Sequence, residues 1–158
     1  MPNPAFVPIR GTIQNITPMA NDCCSSMISI RNEVGITNFV LSPSTYVIQE
    51  TMLRPGMQIT AFYDPALPMP LIFPPQYQAV FITRNNRNEM VFAGYFNENL
   101  VSEDNSLRLN IARSTEILSS NGQRFNCDLT GRLLIVYYTN TTRSIPPLTT
   151  PRRVVVVC

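Results

Sequence analysis

Apolar residues in this chain fall in short runs with a period of about two, and no stretch of a dozen residues repeats them at the 3.6-residue spacing of a helix. The runs are rich in β-branched and aromatic residues and are bounded by Gly, Asn or Pro, which is typical of strands. The pattern predicts an all-β chain with little or no helix. The predicted strands are residues 10–16, 27–31, 37–41, 45–48, 57–63, 77–83, 91–96, 107–111, 115–118, 133–138 and 154–157.

An internal repeat organises these strands. Gly56 and Gly131 lie 75 positions apart, and Pro75 and Pro151 lie 76 apart, so two stretches of the chain align almost without a shift. Upstream of these stretches, residues 11–15 and 44–48 have counterparts in 94–98 and 114–118. We predict two related β units, residues 1–88 and 89–158, with the second packed on the first. The alternative is that any two strand-loop-strand units share the same few turn residues.

Each predicted unit has about five short strands, with a glycine turn before the fourth and a long loop before the fifth. This order resembles an oligonucleotide/oligosaccharide-binding (OB) barrel, although residues 43–55 do not predict the helix of that family. The whole chain is similar to a group of uncharacterised small bacterial β proteins. The resemblance rests on the Tyr-Asp to Pro-Pro-Gln-Tyr segment, here residues 63–77, and on Thr-Arg-Ser-Ile-Pro, here residues 142–146. It implies tandem OB-like β-barrel units and no particular activity.

The composition argues against an enzyme. The chain contains no histidine, so the usual general base near neutral pH and the commonest metal ligand are missing. The four cysteines lack the Cys-x-x-Cys spacing of a zinc site, and we expect free thiols, with a disulfide through Cys127 or Cys158 as the alternative. We therefore expect no catalytic residues, no cofactor and no metal. A carboxylate pair assembled by the fold, as in carbohydrate-active enzymes, is the remaining enzymatic alternative.

The charge balance limits the class of partner. Twelve arginines face ten acidic residues, so the net charge is only +2, and binding to nucleic acid is expected to be weak. No apolar run approaches the roughly 20 residues that span a bilayer, which predicts a soluble protein without a membrane span. The first residues show no signal-peptide pattern, which favours the cytoplasm without fixing the compartment.

The most unusual segment is a loop, residues 64–77, that is both proline-rich and apolar. Loops are normally polar, so its apolar side chains either pack back on the protein, closing a barrel end or docking on the other unit, or contact a partner. Prolines lower the entropy cost of holding such a loop extended, which suits recognition. The predicted partner-binding residues are Leu67, Met69, Leu71, Ile72, Phe73 and Tyr77.

A second candidate surface combines aromatic and arginine side chains. Single-stranded nucleic acids bind where bases stack on exposed rings and phosphates contact guanidinium groups. The candidate residues for this role are Phe81, Arg84, Arg87, Tyr138, Arg143, Arg152 and Arg153, with Tyr77 and Tyr137 beside them. The alternative is that the rings lie in the core or pair across strands and that the arginines form a solvated rim.

These observations predict a non-enzymatic binding or structural module that contacts a protein or cell-envelope partner through the proline-rich loop. Single-stranded nucleic-acid binding is the alternative function. Association is also expected, because an unpaired edge ending in the β-branched run 154–157 would attract another strand. We predict that this run lies in a central or interface strand.

Overall fold

The computed structural model describes residues 6–158; residues 1–5, which belong to the predicted first unit and to the stretch without a signal-peptide pattern, lie outside the described part. Strands make up 49% of the structure and helix 2%, which confirms the all-β prediction. Within residues 6–158, the one helical element is a 3-10 turn at Ile48–Glu50. The strands are Val7–Met19 (β1), Asp22–Asn32 (β2), Gly35–Leu41 (β3), Tyr46–Val47 (β4), Gln58–Tyr63 (β5), Gln76–Gln78 (β6), Phe81–Arg84 (β7), Met90–Tyr95 (β8), Arg108–Leu109 (β9), Glu116–Ser119 (β10), Leu133–Tyr138 (β11), Leu148–Thr149 (β12) and Arg153–Val157 (β13).

The chain divides into two compact units. One comprises Val7–Asn86, and the other comprises Arg87–Cys158 together with Phe6. The first unit contains a seven-stranded sheet in the order β4-β7-β5-β1-β2-β3-β6. The pairs β4/β7 and β3/β6 are parallel and the other neighbours are antiparallel.

Alternating side chains supply the core of the first unit. In β1, Gly11 and Ile13 are buried while the residues between and beside them are exposed, as the two-residue period of a strand requires. A Cβ on Gly11 would lie 2.5 Å from Ile30 Cγ2 and 2.6 Å from the carbonyl oxygen of Arg31, so only glycine allows this approach of β1 to β2. The buried cluster consists of Ile13, Ile28, Ile30, Phe39, Ile59, Ala61, Ala79 and Ile82.

The second unit contains a four-stranded sheet in the order β10-β13-β11-β8 and a two-stranded sheet formed by β9 and β12. Strand β13 lies between parallel β10 and antiparallel β11, and its Val154, Val155 and Val156 are fully buried. The prediction that this run forms a central strand is therefore confirmed. The core cluster of the second unit consists of Phe96, Leu107, Leu109, Leu129, Leu134, Val136, Val154 and Val156.

The same order of strand pairing occurs in both units. The order β4-β7-β5-β1 in the first unit matches β10-β13-β11-β8 in the second, with the same parallel and antiparallel directions. Each unit also has a short parallel pair, β3/β6 in the first and β9/β12 in the second. The peptide bonds Phe73–Pro74 and Ile145–Pro146, which precede β6 and β12, are both cis.

The sheets do not close into barrels, so the prediction of barrel units needs correction. The predicted strand 77–83 is split into β6 and β7, because the chain changes partner between them. Ala79 N–H donates to the carbonyl of Val40 (3.1 Å) beside β6, whereas Val80 N–H donates to the carbonyl of Phe62 (2.8 Å) beside β7. The sheet of the first unit therefore ends at β6 on one side and at β4 on the other.

The alignment of Pro75 with Pro151 is wrong. Asn38 N–H donates to the carbonyl of Pro75 (2.9 Å) at the start of the first short parallel pair. In the second unit, Arg108 N–H donates to the carbonyl of Pro147 (2.8 Å) at the same place. Pro147, and not Pro151, therefore stands at the start of a short parallel pair as Pro75 does. The loop before β6 has twelve residues, 64–75, and the loop before β12 has nine, 139–147, so their prolines do not align at a constant spacing.

Candidate functional site

Two tyrosines fix the base of the proline-rich loop. β5 ends at Tyr63, and Tyr77 lies in β6 at the other end of the loop. Their rings stack with centroids 3.8 Å apart and planes 8° apart, and Tyr77 also contacts Phe39 at a centroid distance of 5.7 Å. Burial raises the pKa of Tyr63 above its usual value of 10, and the hydrogen bond and the charge of Tyr77 raise it further. Tyr77 thus belongs to the base of the loop.

Hydrogen bonds hold both ends of the loop. Asp64 Oδ1 accepts from the backbone N–H of Ala66 (2.9 Å), and the carbonyl of Asp64 accepts from the N–H of Leu67 (3.1 Å). Asp64 therefore caps the turn that opens the loop. At the other end, the carbonyl of Pro75 accepts the bond from Asn38. The loop therefore leaves the sheet and returns to it along fixed paths.

The tip of the loop is apolar and exposed. Leu71 is 100% exposed and Phe73 is 93% exposed, while Leu67, Met69 and Ile72 are each about half exposed. No charged residue occurs between Asp64 and Arg84. The structure thus brings five of the six predicted partner-binding side chains onto the uncharged part of one loop, residues 65–73. At its base, Tyr63, Asp64, Leu67, Pro68, Met69, Tyr77 and Gln78 line a shallow depression.

The nucleic-acid candidates are placed differently from the prediction. Phe81, expected as an exposed ring, is only 3% exposed, and it packs edge-on against Phe62 with centroids 6.3 Å apart. Its ring is buried because β7 lies between β4 and β5 in the sheet. Arg84 is exposed at the end of β7, and exposed Arg87 belongs to the other unit.

Ion pairs engage two of the arginines in the second unit. Arg152 donates from Nε and Nη2 to the carboxylate of buried Glu89, at 2.7 and 2.9 Å, and this contact raises the pKa of Arg152. Arg153 Nε donates to Glu116 Oε1 at 2.7 Å. Tyr138 is half-buried, and burial raises the pKa of its phenol. Arg143 is exposed in the loop before β12.

The acidic and thiol groups serve local structure or lie on the surface. Asp104 Oδ1 accepts from the hydroxyls of Ser102 and Ser106, both at 2.7 Å, within a surface turn. All four cysteines, Cys23, Cys24, Cys127 and Cys158, are exposed and free. Over residues 6–158, no group of three His, Cys, Asp or Glu side chains is placed to hold a metal ion.

Sequence reasoning singled out none of the exposed apolar residues Val34, Tyr46, Met52, Met90 and Ile145 as a binding candidate. Ile145, in the loop before β12, is 93% exposed. It stands before two prolines, as Phe73 does, and this shared Ile/Phe-Pro-Pro pattern was the signal that could have identified it. The alignment of Pro75 with Pro151 concealed the match.

Comparison with models of known families, with curated proteins and with solved structures gave no match. The resemblance to small bacterial β proteins therefore stays a prediction. Among the helical residues that the structure describes, none belongs to a helix with the length and apolar character needed to cross a membrane.

Proposed function

We propose that this protein is a non-enzymatic binding module and that the tip of its proline-rich loop docks on a protein partner. The observation that carries the proposal is the near-complete exposure of Leu71 and Phe73 at a loop tip without charge. Exposed apolar clusters of this kind mark interaction sites more often than single exposed residues do. The exposure also argues against the alternative that the loop packs back on the protein.

The energetics of the loop favour recognition. Burying a Leu or Phe side chain stabilises a complex by about 1.5–3 kcal/mol per residue. Five prolines between Asp64 and Gln76 restrict the unbound loop, and the bonds of Asp64 and Pro75 hold its ends. A restricted loop loses less conformational entropy on binding. A larger part of the free energy gained by burying the apolar side chains therefore remains to stabilise the complex.

Charge favours a protein over a nucleic acid as the partner. Affinity for a polyanion comes mainly from basic side chains, and the tip of the loop has none. Of the arginines proposed for phosphate contacts, Arg152 and Arg153 are bound to carboxylates. Phe81 is buried and offers no face to a base.

We also infer that the two units are tandem copies with OB-like connectivity. In an OB fold, the first three strands form a meander, the third pairs in parallel with the fifth, and the fourth joins the fifth to the first. The pairs β1/β2, β2/β3, parallel β3/β6, β7/β5 and β5/β1 follow this order if β6 and β7 together stand for one bent strand. In the second unit, the isolated β-bridges Phe96–Ser102 and Val101–Arg108 take the place of the β1/β2 and β2/β3 strand pairs of the first unit.

Matched hydrogen bonds support the duplication. Gly56 N–H donates to the carbonyl of Ile13 and Gly131 N–H to the carbonyl of Phe96, both at 2.8 Å, and both glycines have a positive φ, 92° and 72°. Tyr46 N–H donates to the carbonyl of Val80 and Glu116 N–H to that of Arg152, both at 2.9 Å. Because long-range bonds recur at matched positions, shared turn residues are an insufficient explanation.

Selection of binders from a library of random peptides tests the proposed docking surface. Random dodecamer peptides would be selected on the whole wild-type protein, and the affinity of the best binder would be measured by calorimetry. The double variant Leu71→Ser/Phe73→Ser is expected to weaken this binding at least tenfold, because losing anchors worth more than about 1.4 kcal/mol has this effect. Val34→Ser is the matched control, since Val34 is 97% exposed in the β2–β3 turn.

The outcomes separate the candidate functions. Unchanged affinity in the double variant, or a failure to select any binder, would contradict the proposal. Fluorescence anisotropy with a labelled oligo(dT) strand at low salt tests the alternative. We expect no binding, whereas micromolar affinity that falls steeply with salt would support the nucleic-acid function instead.

A further inference from the structure

We propose that Ile145 forms a second docking tip and that one chain therefore carries two sites for the same class of apolar protein segment. The inference rests on the proposed function of the first tip. It goes beyond that function because it assigns a docking site in the other unit, where sequence reasoning placed no partner-binding residue.

The position of Ile145 in its unit matches that of Phe73. The bonds from Asn38 to Pro75 and from Arg108 to Pro147 open the parallel pairs β3/β6 and β9/β12. Phe73 lies two residues before Pro75, and Ile145 lies two residues before Pro147. Both side chains are 93% exposed. Each unit therefore presents one apolar side chain at the same point of the same connection.

The surroundings of the two tips indicate one kind of occupant. Residues 65–83 carry no charge, and neither do residues 144–151. An uncharged apolar tip is complementary to an apolar protein segment, while docking on an anionic membrane relies on clustered basic residues. The second tip has Ile145 as its single exposed large apolar side chain, whereas the first has five. We therefore expect it to bind the same segment more weakly.

Calorimetry in the whole protein tests this inference with the selected dodecamer peptide as the probe. In the Leu71→Ser/Phe73→Ser background, we expect one remaining site per chain with an affinity at least tenfold below that of the first tip. Adding Ile145→Ser should abolish this residual binding, whereas adding Val34→Ser should leave it unchanged. The thermal midpoint of each variant should stay at the wild-type value, because every substituted side chain is exposed.

The results distinguish the failure of this inference from the failure of the proposed function. If the double variant loses all binding, or if Ile145→Ser leaves the residual site intact, the second tip is overturned and the first stands. If the double variant binds as tightly as the wild type, both are overturned. Binding to vesicles of phosphatidylcholine and phosphatidylserine in equal parts, or a change in self-association, that depends on Ile145 would also overturn the inference.

Discussion

Thr45 and Thr115 show how single hydroxyl groups specify the strand order. Thr115 Oγ1 donates to the carbonyl of Pro151 (2.8 Å) and accepts from the N–H of Ala112 (3.3 Å). Thr45 Oγ1 makes the same bonds with Ala79 (2.8 Å) and Ser42 (3.1 Å). Each hydroxyl thereby links the turn before a short strand to the residue two positions before that strand's parallel partner, β7 or β13.

We predict that Thr115→Val lowers the free energy of unfolding by about 1–3 kcal/mol, because it leaves a carbonyl and an N–H without their partner. Thr115→Ser keeps the hydroxyl and should cost less. Urea denaturation of the three proteins measures the difference. A valine variant as stable as the serine variant would show that the hydroxyl does not hold β10 to β13.

At the scale of elements, β13 is the strand on which the second unit depends. Its central residues are buried on both faces, and it hydrogen-bonds to β10 on one side and β11 on the other. A charge placed within it would lose its water without gaining an ionic partner. The same substitution on an exposed turn meets solvent and costs little.

We therefore predict that Val156→Asp destabilises the protein by more than about 4 kcal/mol, a large part of the stability of an ordinary domain. Val34→Asp serves as the control and should change stability by less than about 0.5 kcal/mol. Thermal and urea unfolding provide the measurement. An unchanged midpoint for Val156→Asp would mean that β13 is frayed in solution.

Strands in which apolar and polar residues alternate, or which contain long runs of β-branched residues, could be predicted from the sequence. The predicted strand 133–138 coincides with β11, and 154–157 differs from β13 by one residue. β12 was missed because two residues cannot show a period. The break between β6 and β7 was missed because it depends on a change of distant partner at Ala79 and Val80, which no local pattern records.

The sequence predicted which residues make up the candidate site, but it did not predict how exposed their side chains are. Proline and apolar residues identified the loop, but its exposure depends on how the chain returns to β3, which the sequence does not state. Phe81 was misassigned for a related reason. Phe81, Ile82 and Thr83 of β7 are all buried. A short apolar run has the same sequence pattern whether both faces of the strand are buried or one face is exposed to solvent.

At the scale of the whole molecule, two units with one order of strand pairing each present an exposed apolar side chain before the same short parallel pair. Burial of the cores stabilises the units, while the loop tips keep apolar surface in solvent. This surface contributes nothing to folding, so its substitution separates binding from stability.

The central claim is that the loop tip is the place where a protein partner binds, and methyl NMR of the whole protein tests it most directly. On titration with the selected dodecamer peptide, we predict that the largest shifts occur at the methyl groups of Leu71, Ile72 and Met69, with Val34 unchanged. Shifts that leave these three groups unaffected and occur elsewhere in the protein would contradict the claim.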